Sequence, residues 1–180
     1  MQLVRLYNKD VKAIMAKYNL KNEDIIGRGM FSIVFDNHNS TVTKLTIDNS
    51  SIRFAMQNIS PHLPVIHKLI GTEKINKRSA YLYEIEKLQP KSSSVESNNI
   101  AHRLTQPNWH LPLSAKMLES IIPQDDEELG FVFDSLCVFF KEHNVLIDMN
   151  INNIMFRNET LVLNDIFVDA NLFNSGYVRY

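Results

Sequence analysis

The sequence predicts an α+β fold, with a small antiparallel sheet in its first half and helices with short extended pieces in its second. Three observations predict it. Apolar residues recur at helical spacing over 3–18, the pattern changes to β-branched and aromatic runs around a turn at 31–46, and helical spacing returns after Pro123.

Leu3, Leu6, Tyr7, Val11, Ile14, Met15 and Tyr18 lie three and four apart, so residues 3–18 are expected to form an amphipathic helix. Phe31–Phe35 and Thr41–Thr46 flank the turn formers Asp36-Asn37-His38-Asn39-Ser40, which predicts a β-hairpin. One short helix over Ser51–Ile59 and two strands, Val65–Ile70 and Ala80–Ile85, follow. Gln89 to Asn99 holds Pro90, Ser92, Ser93, Ser94 and Ser97 and reads as a connector or exposed loop. After Pro123, the acids Asp125, Asp126, Glu127 and Glu128 open a helix at the positive end of its dipole. Its buried stripe is Leu129, Val132, Phe133, Leu136, Phe139 and Phe140, with Lys141 and His143 in the last turn. Asn144–Ile147, Ile154–Phe156 and Leu161–Leu163 then read as short strands or extended loops.

A chain of 180 residues, 44% apolar and 22% charged, suits one domain or one small two-lobed unit with a core of its own. With 19 Lys+Arg against 20 Asp+Glu there is no global basic field, which argues against nucleic acid as a partner. The single cysteine, Cys137, excludes an internal disulfide and, among Leu136, Val138, Phe139 and Phe140, reads as a buried thiol suited to a reducing cytoplasm. No apolar run approaches the roughly 18 residues of a membrane span, and the start has no signal-peptide pattern. A soluble, cytoplasmic protein with no membrane contact is expected. Six scattered histidines show no zinc spacing, and Trp109, in a proline-flanked loop, reads as a satellite core residue.

Three polar clusters carry the chemistry. Gly27-Arg28-Gly29-Met30-Phe31-Ser32-Ile33-Val34 places two glycines in a turn, where backbone can approach a phosphate with no Cβ in the way. Lys44 follows in a strand. Asp148 and Asn153, five apart, and Asp165 each close a short apolar run, and together they offer oxygen ligands for a hard cation and a base beside its phosphate. Singly these pieces are ordinary: a Gly-x-Gly turn, an edge lysine, an Asn-rich turn and a strand-ending cap.

In this order they resemble the protein-kinase fold over roughly residues 25–170. Gly27-x-Gly29-x-Phe31-Ser32-x-Val34 is similar to a glycine-rich loop with serine at the third glycine position. Val42-Thr43-Lys44 is similar to the strand of the nucleotide lysine, Tyr83-Glu84-Ile85-Glu86-Lys87-Leu88 to the strand entering the adenine-binding hinge, Asp148-x4-Asn153 to the catalytic loop, and Asp165-Ile166-Phe167 to Asp-Phe-Gly. The chain is most similar to the reduced serine/threonine kinases of podoviruses, phage early proteins that modify bacterial hosts. The resemblance implies a bilobal fold in one kinase-like domain, with a small sheet lobe over about 1–88, a hinge over about 89–99 and a strongly reduced helical lobe over about 100–180. It implies ATP and Mg²⁺ as cofactors. Gly27, Gly29, Ser32 and Val34 would cover the nucleotide, Glu86 and Leu88 line its hinge, and Lys44 neutralise phosphates. Asn153 and Asp165 would hold Mg²⁺, and Asp148 would orient or deprotonate a serine or threonine hydroxyl of a host bacterial protein, in the host cytoplasm. Oligomeric state does not follow from it.

The sequence also departs from that pattern. Leu146-Ile147 stand where most such kinases have His-Arg, Asn150 takes the place of the catalytic-loop lysine, Val168 replaces the glycine, and no glutamate follows Lys44 in the next helix, Glu73 being a distant substitute. Residues 166–180 leave no room for a full activation segment, so activity is expected to be independent of loop phosphorylation, with self-modification on flexible serines such as Ser92, Ser93, Ser94 or Ser97. Two functions follow: a constitutive phosphotransferase, or a pseudokinase that binds a host protein without catalysis. A small-molecule kinase similar to aminoglycoside phosphotransferases shares the Asp-x4-Asn loop and ranks third.

Overall fold

The computed structural model describes residues 4, 8–105 and 126–177, and side chains to residue 175. The chain divides into two compact units. The first takes Met1–Asn49, Val65–Lys87 and Leu172–Tyr180, and the second Ser50–Pro64 and Leu88–Asn171. The fold is mixed α+β. No helix among the described residues is long and apolar enough to cross a membrane.

In the first unit, β1 (Ile25–Arg28), β2 (Ser32–Asp36), β3 (Thr41–Thr46), β4 (Ile66–Ile75) and β5 (Arg78–Glu86) form an antiparallel sheet in the order β1-β2-β3-β5-β4. Its centre is apolar: Ile33, Phe35, Leu45, Leu82 and Ile85 are buried. The strands expected at Val65–Ile70 and Ala80–Ile85 are longer because a two-residue turn joins them. Asn76 and Lys77 both take positive φ there, 50° and 67°, between the paired Ile75 and Arg78. That twist suits a tight hairpin, but Asn-Lys lacks the glycine that would have signalled it. The glycine-rich segment also differs from the expected turn, since Gly27 and Arg28 lie in β1 and only Gly29 enters the turn, whose N–H donates to Ser32 O at 2.9 Å.

The first helix, α1 (Lys9–Lys17), is shorter than the expected 3–18; of the residues that predicted it, Leu3, Leu6 and Tyr7 lie outside those described. Asn8 caps it by accepting from the Asp10 N–H at 2.8 Å, and Val11, Ile14 and Met15 form its buried face. Beyond its end, Tyr18 lies over Gly71 of β4, where a Cβ would collide with the tyrosine hydroxyl. That hydroxyl donates to Glu73 Oε1 at 2.7 Å, and Lys17 pairs with the same oxygen.

The second unit holds α2 (Ser50–Gln57), α3 (Val95–Thr105), α4 (Glu127–Glu142) and two antiparallel pairs, β6 (Val145–Ile147) with β9 (Phe167–Asp169) and β7 (Ile154–Arg157) with β8 (Thr160–Leu163). The final helix, α5 (Ala170–Tyr177), follows β9. Asp126 caps α4 by accepting from the Leu129 N–H at 3.0 Å; Pro123 and Asp125 lie outside the described residues, as does Trp109. Leu129, Val132, Phe133, Leu136 and Phe139 enter one core with Phe54, Ile147, Phe156 and Phe167. Phe140, assigned to that stripe from spacing, is exposed, and Cys137 is half-buried, its thiol pushed up by that burial.

The serine-rich stretch is not simply a loop. Ser94 Oγ accepts from the Ser97 N–H at the start of α3, Ser97 Oγ donates to Glu159 O, and Ser93 Oγ donates to Glu159 Oε1. Serine is a weak helix former but a strong cap, so the residues that read as a connector here begin a helix. These serines are tied down, against the expectation of flexible acceptors.

Two glycines give opposite expectations. Gly71→Ala displaces Tyr18 and should cost about 1–3 kcal/mol, whereas Gly130→Ala, in α4 with nothing within 4 Å of the added carbon, should stabilise by about 0.4–1 kcal/mol; thermal melts of both variants check the pair. Acid sensitivity supplies a second test. The hydrogen bond from Lys17, then that from Tyr18, holds Glu73 below its ordinary range, and the hydrogen bond from Lys87 does the same for Asp36. Depressed carboxyls contribute stability above their unfolded values, near pH 4, and lose it as pH falls through the folded values. Lys17→Met and Lys87→Met should therefore be less stable than the wild type at pH 7 and nearly equal to it at pH 2, by denaturant titration at both.

Candidate functional site

In the second unit the chain leaves β6 at Ile147, a core residue paired with Phe167, and turns at Asp148. The asparagines that follow build the turn from their side chains. Asn150 Oδ1 accepts from the Asn152 N–H at 2.9 Å, capping a short 3₁₀ turn over Ile151–Asn153, and its Nδ2 donates to Asp148 Oδ1 at 2.9 Å. Asn153 Nδ2 donates to Asp148 O at 2.8 Å and to Asp148 Oδ2 at 3.0 Å. Each oxygen of the Asp148 carboxylate is thus held by one neutral amide.

Two backbone hydrogen bonds bring Asp165 to this loop. The Asn164 N–H donates to Asn153 O at 2.9 Å, and the Asp148 N–H donates to Ile166 O at 2.8 Å. Asp165 lies between the two bonded residues, so the backbone brings the segments that carry Asp148, Asn153 and Asp165 together within the second unit. Beyond it, Phe167 fixes the segment. Its ring lies 5.2 Å from Phe54 and 4.9 Å from Phe139, and Ser51 Oγ accepts from the Phe167 N–H at 2.8 Å and donates to Phe167 O at 3.1 Å.

These side chains fit a hard cation by donor type. With its amide protons directed to Asp148, Asn153 has Oδ1 as an oxygen donor, Asp165 on the adjoining segment carries a carboxylate, and a cation such as Mg²⁺ takes oxygen ligands of these kinds with water completing the shell. Among the described residues no three His, Cys, Asp or Glu side chains gather as a metal cluster, so an amide oxygen would have to take part.

In the first unit Gly27 pairs with Val34, Val34 with Lys44, and Lys44 with Tyr83. Residues directly opposite across antiparallel strands project to the same side, so these four share one face of the sheet. Ser32, two before Val34, joins it. Lys44 is 6% exposed, which corrects the reading of an isolated edge lysine. Gly27 and Gly29 have no positive φ. A Cβ at Gly27 would meet Val34 at an ordinary 3.5 Å, and one at Gly29 would meet the Ser32 hydroxyl at 3.2 Å. Neither glycine is demanded by backbone strain, and their lack of side chains leaves the backbone bare for a close-approaching group.

Other expected residues are placed differently. Glu73 is bound to Lys17 and Tyr18 and does not serve as a substitute holder of Lys44. Glu86 Oε1 accepts from the Val65 N–H at 2.7 Å, closing the end of the hairpin, and Leu88 opens the second unit's longer segment. Helix α2 contains no carboxylate. Leu146 and Ile147, in place of His-Arg, serve β6: Leu146 pairs with Val168 and Ile147 is buried.

Sequence reasoning missed Ser51 and the second role of Asn150. The Asp-x-Asn-x-Asn spacing signals side-chain-closed turns, which could have pointed to Asn150; nothing in the sequence ties Ser51 to Phe167. Neither a protein-family model nor a curated protein sequence matches the chain.

Ser51→Ala leaves the buried N–H and C=O of Phe167 without their hydroxyl partner. It should cost about 1–3 kcal/mol, a drop of several degrees in Tm for a chain of this size, measured by calorimetry or circular dichroism.

Proposed function

We propose that the chain is a protein-kinase-like phosphotransferase that moves the γ-phosphoryl of ATP to serine or threonine hydroxyls of proteins, its first unit acting as the small lobe and its second as a reduced large lobe. The observation that carries the reading is the convergence of Asp148, Asn153 and Asp165 through the Asn164–Asn153 and Asp148–Ile166 hydrogen bonds. Packing does not require two carboxylates and an amide to meet at one loop. The shared face of Gly27, Val34 and the buried Lys44 supports it from the other unit.

In this reading the backbone at Gly27 and Gly29 lies along the phosphates, Ser32 and Val34 cover the nucleotide, and Glu86 and Leu88 border the base. Lys44 offsets charge on the α- and β-phosphates, while Asn153 and Asp165 hold Mg²⁺, which neutralises the phosphoryl oxygens when bound. Asp148 orients the acceptor hydroxyl and accepts its proton as the oxygen bonds to the γ-phosphorus and the bond to ADP breaks. The acceptor is a host bacterial protein if the chain is phage-encoded. The absence of a carboxylate from α2 and of a cation at position 150 favours a second reading, a pseudokinase that occupies a host protein and binds nucleotide without turning it over.

Calorimetry with ATP and with Mg²⁺–ATP tests the site. Binding should require Mg²⁺ and weaken at least about tenfold in Lys44→Ala and Asp165→Ala; unchanged affinity in both removes the site. Asp148→Asn should keep nucleotide affinity and lose about 10²–10⁴-fold in label transfer from γ-labelled ATP to proteins of a bacterial lysate. Wild-type binding without transfer selects the pseudokinase.

A further inference from the structure

We infer that Asn150 is a positioning residue, which fixes the Asp148 carboxylate for the acceptor hydroxyl in place of the cation that the kinase pattern expects there. The inference rests on the phosphotransfer reading and deepens it. The two ends of the Asn150 amide do separate things. Its Oδ1 accepts from the Asn152 N–H at 2.9 Å and shapes the turn, while its Nδ2 donates to Asp148 Oδ1 at 2.9 Å. Asn153 Nδ2 holds the other oxygen at 3.0 Å.

The terminal torsion of an aspartate is soft, with a broad distribution and no sharp well. One donor on each oxygen removes that freedom, and each oxygen keeps lone-pair capacity for a substrate hydroxyl. Asn150 is half-buried, as is the contact it makes. A carboxylate that must meet a hydroxyl tolerates roughly 10–20° of misorientation, so the second donor has a direct bearing on turnover. An ammonium at this position would also hold the carboxylate, but by pairing with its charge it would make it a poorer proton acceptor. The amide orients without neutralising. Asparagine in place of lysine is therefore a different way of holding the base.

Asn150→Asp separates the two functions of the amide. The new carboxyl still accepts from the Asn152 N–H, so the turn is kept, but it faces Asp148 Oδ1 without a proton to give. With Mg²⁺–ATP and a phosphorylatable peptide mixture, kcat at pH 8 should fall at least about tenfold while KM for Mg²⁺–ATP stays within about twofold. Asn150→Ala, which removes both contacts, should also lose kcat. Wild-type kcat in both variants overturns the inference. A fall in kcat matched by an equal rise in KM for Mg²⁺–ATP also overturns it, since Asn150 would then act through the turn alone. If Asn150→Asp fails to fold, judged by its thermal melt, the kcat of Asn150→Ala against an unchanged KM decides. A wild-type protein that binds nucleotide and transfers no label overturns the phosphotransfer reading, and this inference with it.

Discussion

The backbone hydrogen bonds from Asn164 to Asn153 and from Asp148 to Ile166 are the constraint on which the candidate site of the second unit depends. They clamp the chain on both sides of Asp165 to the loop that carries Asp148 and Asn153. The clamp is supported from the core, where Phe167 sits among Phe54 and Phe139 and its backbone is satisfied by the buried Ser51 hydroxyl. Aromatic pairs contribute about 0.5–1.5 kcal/mol beyond their area, and unmaking a buried backbone contact costs more than making it gains. The apolar half of the Asp-Ile-Phe run thus holds its polar end in place. Core and candidate site are two ends of one short segment.

The departures from the kinase pattern follow a common physical course. Leu146 and Ile147 serve strand pairing and burial, and Asn150 supplies a neutral amide. Burying an arginine in so small a core would require a partner for its charge. In the first unit, Glu73 is drawn to α1 by Lys17 and Tyr18, whose shared contact lowers the glutamate and raises both partners. With neutral residues at these positions there are fewer charges to satisfy, which suits a second unit built around one apolar cluster.

Much of this was legible in the sequence where periodicity or turn chemistry is strong. The hairpin across 31–46 and the helix after Asp126 follow from patterns of a few residues. Less legible were features decided at a distance or by caps. Asn76 and Lys77 make a tight turn without glycine, Ser94 starts a helix inside a serine-rich stretch, and Phe167–Asp169 is a strand only because β6 offers it an edge. Burial of Lys44 belongs to the same group, since a lysine between Thr43 and Leu45 reads as an exposed edge until its neighbouring strands are known.

The central proposal is that Asn153 and Asp165 of the second unit hold the metal of a bound nucleotide beside Asp148. Paramagnetic broadening by Mn²⁺–ATP, read on the backbone amides of the full chain by NMR, tests it most directly. The account predicts that the signals of Asp148, Asn153 and Asp165 broaden and that Asp165→Ala abolishes the effect. Absence of broadening at these residues, or broadening unchanged by Asp165→Ala, would contradict it.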